Sequence, residues 1–252
     1  ECLPMSVTIG NLLHYLYTNR LLEQNIKIYY FMPGSDGPCR FGNYHILDKL
    51  ILNNLGLQDK VSILSTSDDE LFEGMPSSLN AIIYLALISI DNLVACSDFI
   101  RPIENKFGET NKLFNYYYSI IIDKLKNINC FSISYKKLII EILGGNLFGF
   151  TKLFKNITQD YLRLKTFREV KTVSLDGALY VRLDPFTNQN IAQKLESLGL
   201  RIKHVPFTEW LDFLNSLNDN EFQKNKIKNL FNNYLRKRIR TIPNSIVYNN
   251  LG

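Results

Sequence analysis

An α/β fold, with two Rossmann-like parallel-sheet units joined by a helical segment, is what three features of this 252-residue chain predict. Short β-branched and aromatic runs at 26–31 and 61–64 flank a stretch of helical periodicity. Residues 79–164 carry helical spacing only, and the alternation resumes at 172–205. A β-loop-α-β order calls for parallel strands with crossover helices. The expected units are residues 1–166, which include the helical stretch, and 167–252, incomplete at its C-terminus.

The elements follow in order. Ile9, Leu12, Leu13, Leu16 and Leu21 recur at helical spacing over 6–23. Residues 26–31 read as a buried strand, and the breakers at 33–38 read as a loop. A helix is expected from about 42 to 55, closed by Gly56, and a second strand at 61–64. Helices follow at about 79–99, 109–127, 135–143 and 151–166, punctuated by Gly108 and Gly144-Gly145. Residues 172–183 read as one strand, or a strand pair, interrupted at Asp176-Gly177. A helix at 188–198, a strand at 200–205 and helices at 208–217 and 221–240 complete the chain.

The composition, 46% hydrophobic and 21% charged, excludes a disordered chain and a collagen-like repeat. No uninterrupted apolar run reaches membrane-spanning length, so no membrane partner is expected. The net charge of +5 is local: residues 220–252 hold seven basic side chains against Glu221 alone. Phe222, Ile227, Leu230, Phe231, Tyr234 and Leu235 recur there at helical spacing. An amphipathic helix with a solvated basic face accounts for the charge, and nucleic acid is not an expected partner. The chain opens on Glu1-Cys2 with no signal-peptide pattern, and is expected to be cytoplasmic and cut from a longer polypeptide.

Four cysteines, Cys2, Cys39, Cys96 and Cys130, match no zinc-ribbon or thioredoxin spacing. Cys96 and Cys130 border apolar runs and read as buried small hydrophobes. Cys2 and Cys39 sit among Pro and Gly at helix entrances. The segment Gly34-Ser35-Asp36-Gly37-Pro38-Cys39-Arg40-Phe41-Gly42 follows a predicted strand, where open α/β sheets place functional groups. Glycines permit close backbone approach, and thiolates are favoured beside helix N-terminal amides and guanidinium groups. Two such cysteines can meet at one metal centre, or the segment is a tight turn with an incidental thiol. Arg182 and Asp184, after another strand-like run, bind substrate or a facing domain, or form a structural ion pair. His14, His45 and His204 show no zinc spacing, and His45 faces either the Cys39 loop or solvent. No phosphate-cradling glycine loop or serine-hydrolase elbow is present, so any ATPase lies elsewhere.

Three blocks recur in this order in one family: Glu1-Cys2-Leu3-Pro4; Phe31-Met32-Pro33 with Gly37-Pro38-Cys39-Arg40-Phe41-Gly42 and Tyr44; and the run from Leu179 through Tyr180, Val181, Arg182, Leu183, Asp184 and Pro185 to Phe186. Arg101-Pro102-Ile103-Glu104 and Glu209-Trp210-Leu211 sit where the family has similar residues. Over essentially its whole length the chain resembles the 2-hydroxyacyl-CoA dehydratase-like region of the large acyl-CoA dehydratase activase-related proteins. There, ATPase domains resembling benzoyl-CoA reductase and dehydratase activators precede a dehydratase-subunit-like region.

The resemblance implies an iron–sulfur protein with a 4Fe-4S cubane, fed low-potential electrons by an activator ATPase, and with an acyl-CoA as a further partner. It makes Cys2 and Cys39 metal ligands, with Gly37, Arg40 and Gly42 shaping the cofactor loop. It names no catalytic residue. Cys96 and Cys130 do not match family cysteines, so a further ligand is expected C-terminal to Gly252, and this segment alone is expected to hold a partial site, without a cluster. The rival expectation is a non-catalytic docking module of dehydratase fold that binds the activator ATPase.

Overall fold

The computed structural model describes residues 2–34, 39–65, 77–210 and 226–251, with the backbone alone for 77 and 226–232. The fold is mixed α/β and mostly helical, with two parallel two-stranded sheets. The chain divides into two compact units, Glu1–Met75 and Pro76–Gly252.

In the first unit, helix α1 spans Leu3–Thr18, with Cys2 as its extended N-cap and Pro in the first turn, where a missing amide costs nothing. Thr8, Ile9, Leu12 and Leu16 form its buried stripe. Strands β1 (Ile28–Phe31) and β2 (Val61–Leu64) pair in parallel, in the register Ile28↔Val61 to Phe31↔Leu64. A 3₁₀ turn at Arg40–Asn43 leads into α2, Tyr44–Asn54. β1 differs from the expected buried strand: Tyr29 and Phe31 are exposed. Among the described residues β1 pairs with β2 alone, and its alternate side chains point to opposite faces, one of them left outside.

The second unit is built on α3, Ser77–Ile100, whose Leu85, Ile88, Leu93, Cys96 and Ile100 are buried. It packs against α4 (Glu109–Lys126), α6 (Phe150–Arg163) and α9 (Lys226–Leu251), with α5 (Tyr135–Leu143) beside them. By length and composition α3 could cross a membrane, which a search for uninterrupted apolar runs passes over. Here it is the central helix of a core that includes Phe150, Phe154 and Tyr161, each contributing about 2 kcal/mol by burial. Two of its buried hydroxyls are paired: Ser89 donates to the Leu85 carbonyl at 2.6 Å, and Ser97 lies 2.7 Å from the Tyr161 hydroxyl.

Strands β3 (Thr172–Leu175) and β4 (Arg201–His204) also pair in parallel, and β4 packs on α3. That packing ties the helical stretch to the second sheet, so the division of the chain precedes α3, and residues 166–171 lie inside the second unit. The strand-like run after Gly177 is a short helix, α7, Leu179–Leu183. β4 offers partners to four residues only, and Gly177, at φ 131°, turns the chain away from the sheet. α8, Ile191–Ser197, leads through Gly199 to β4. α9 runs past its expected end near residue 240. Pro243 lacks the amide that would reach the Ile239 carbonyl, yet Ile239, Val247 and Leu251 are buried, and their packing carries the helix through. Residues 207–210 are helical, and the rest of the expected 208–217 helix lies outside the described residues.

Candidate functional site

Two places gather chemically capable side chains, one in each unit. In the first, the start of α1 brings Cys2 to the Tyr44 phenol, five residues after Cys39. The buried Tyr44 opens α2, and its hydroxyl lies 3.0 Å from the Cys2 Sγ, at a distance where either atom can donate. Phe41 packs edge-on against the Tyr44 ring at 5.3 Å. Burial raises the Tyr44 phenol above its ordinary range, and the Cys2 hydrogen bond, the Cys2 charge and the Cys39 charge push the same way. A phenol that keeps its proton is a donor for a thiolate. Cys2 is half-buried and Cys39 exposed.

The other expected loop residues are less distinctive. Arg40 is exposed, and the Gly42 amide donates to the Cys39 carbonyl at 3.3 Å within the 3₁₀ turn. Gly37 lies outside the described residues. Among the described residues no three His, Cys, Asp or Glu side chains gather as a metal-binding group.

His45 faces the interior of α2's unit, not solvent, and its Nδ1 has no partner among the described residues. One turn on, Asp48 is fully buried with both carboxylate oxygens unpartnered among them, and burial raises its carboxyl from 3.8 to about 6. Sequence reading passed over Asp48. The available signal was its place on the stripe of Tyr44, Asp48 and Leu52, where an apolar residue is expected.

In the second unit, a cavity of about 530 Å³ opens near the carboxyl ends of β3 and β4, between α3, α4, α7 and α8. Parallel sheets commonly bind ligands at this end. Asp98, Arg101, Asn115, Arg182, Gln193 and His204 are among its lining residues. Asp98 accepts from the His204 backbone amide at 3.0 Å, and its Oδ2 lies 2.8 Å from the ring Nδ1. This favours a proton on Nδ1 and leaves Nε2 for the cavity. Arg101 donates to Glu196 at 2.6 Å and to Asn111 at 3.1 Å.

Arg182 is buried, with a side chain 6% exposed, and pairs through Nη1 with the exposed Asp176 at 3.0 Å. Its Nε has no acceptor among the described residues. The carboxylate partner of Arg182 is therefore Asp176, where the sequence offered Asp184. Asp184 instead accepts from the Thr187 amide at 2.9 Å and from its hydroxyl.

The remaining candidates have structural places. Glu104 caps α4 by accepting from the Gly108 and Thr110 amides at 2.7 and 2.8 Å. Asp91 accepts from the Phe207 and Thr208 amides and the Thr208 hydroxyl, while burial raises its carboxyl. Trp210 is half-buried and packs on Phe207 at 5.9 Å. His14 is exposed. Cys96 is fully buried, whereas Cys130 is half-buried in a 3₁₀ turn. On α9, Leu235 and Ile239 face the core while Arg236 and Lys237 are exposed. No family model, curated protein or solved structure matches the chain.

Proposed function

We propose that this chain is a segment of an iron–sulfur, dehydratase-like protein of the cytoplasm, taking part in ATP-coupled, low-potential electron transfer to a CoA-ester-type substrate or partner. In this reading Cys2 and Cys39 are thiolate ligands, and the two parallel strand pairs are remnants of Rossmann-like units. The observation that supports it is the Cys2 thiol 3.0 Å from the hydroxyl of Tyr44, which opens the helix that follows Cys39.

The residues present fit part of such a centre. Two sulfur donors suit iron–sulfur ligation. A cubane takes about three or four protein ligands, and the described residues add no third donor to these two. The remaining ligands are therefore assigned to residues beyond the described set. A bound cluster would supply one-electron chemistry. The chain's own part is to hold two thiolates at helix entrances and to direct the Tyr44 hydroxyl at one of them; hydrogen bonds to sulfur tune reduction potential. The activator ATPase is the proposed electron donor.

Anaerobic reconstitution with ferrous iron and sulfide tests the reading. Bound iron and thiolate-to-iron absorbance are expected, and Cys2→Ser and Cys39→Ser should each remove most of both. Unchanged iron in both variants would refute the ligand assignment. The incomplete donor set favours a second reading, a non-catalytic docking module. It expects no iron in the intact anaerobic protein together with stable association with the activator ATPase.

A further inference from the structure

We propose that the cavity of the second unit is a binding site for a small molecule bearing an oxyanion, a carboxylate or a phosphate, anchored by Arg182 with His204 beside it. The inference is independent of the cysteine site. Four charged or titratable side chains line the cavity: Arg101, Arg182, Asp98 and His204. Two of them are already engaged with each other, since Asp98 holds the His204 ring at Nδ1. Arg101 is bound by Glu196.

Arg182 is the cation left over. It is buried to 6% exposure, and its only carboxylate within ion-pair distance among the described residues, Asp176, is 74% exposed and binds one nitrogen. Asp176 also accepts from the Gly177 amide at 2.7 Å, so it is shared. Arg182 lines the cavity with one shared carboxylate partner, so an oxyanion entering there would gain a charge-assisted bond to the guanidinium. Guanidinium groups match carboxylate and phosphate geometry, with parallel donors on one plane.

The rest of the lining agrees with this choice. Asn115 and Gln193 add side-chain amide donors at exposed positions on the rim. Phe114 and Leu183 supply apolar wall for the body of the molecule. The volume of about 530 Å³ suits a small metabolite. His204, oriented by Asp98, presents Nε2 to a ligand hydroxyl or oxyanion.

The test is nuclear magnetic resonance of the full chain with labelled arginine and histidine, titrated separately with inorganic phosphate, acetate and chloride at matched ionic strength. Saturable shifts of the Arg182 guanidinium and the His204 ring with phosphate, acetate or both are expected, and which anion acts identifies the oxyanion class. Arg182→Gln should weaken binding about tenfold or more, the loss expected for one charge-assisted bond. Because Arg182 is buried, the exposed Asn115→Asp provides a second variant that places a repelling carboxylate on the rim without disturbing the core. It should weaken binding several-fold. Absence of saturation with either oxyanion, equal shifts with chloride, or unchanged affinity in Asn115→Asp would overturn the proposal.

Discussion

Replacing Asp48 by Asn should stabilise the first unit at neutral pH and remove most of a pH dependence that the native chain carries. Asp48 is fully exposed in the unfolded chain but fully buried in the fold, with neither carboxylate oxygen paired among the described residues. Burial alone raises its carboxyl from 3.8 to about 6, so the native state binds the proton more tightly than the unfolded one. Stability from this group is then complete below 3.8 and is lost as the pH climbs through about 6. The full difference corresponds to about 3 kcal/mol near pH 7.5 and under about 1 kcal/mol near pH 4. Asn keeps the shape and cannot ionise. The variant should gain up to about 3 kcal/mol over the native chain near pH 7.5, with the gain shrinking on acidification. Opening free energies of the α2 amides, from hydrogen exchange at the two pH values, measure the gain directly. Comparing variant with native cancels the titration of every other group. A gain that is absent, or equal at both pH values, would mean that Asp48 is solvated or paired, and would refute the reasoning.

Thiol reactivity should separate the cysteines by burial: the exposed Cys39 reacts first with iodoacetamide near neutral pH. Cys96, whose thiol burial pushes up to about 12, reacts last, by a factor of about 100 or more. Site-resolved mass spectrometry reads the order, and equal rates would place Cys96 outside the core. Tyr161→Phe should cost about 1–2 kcal/mol in urea unfolding by stranding the buried Ser97 hydroxyl. Ser97→Ala made together with it should cost less than the sum of the two single changes, and strict additivity would show that the pair does not interact.

Local periodicity carried much of this fold. The spacing of Tyr117 and Ile121, and of Phe154, Ile157 and Tyr161, is read directly from the chain because one helix face must be apolar. The strand positions were legible as short apolar runs, though the third run was read past its end at Leu175, and Pro and Gly neighbours marked the places of Cys2 and Cys39 at helix entrances. Tertiary packing alone decided the rest. It made α7 a helix despite its strand-like sequence, because β4 is four residues long, and it carried α9 through Pro243. It also turned Asp48 inward and set Asp98 and His204, distant in sequence, 2.8 Å apart beside Arg182. The sequence by itself determined which segments could bury an apolar face, since that depends on neighbours within a few turns. Which polar groups were buried with them depends on elements meeting across the fold, and only the tertiary structure decided that.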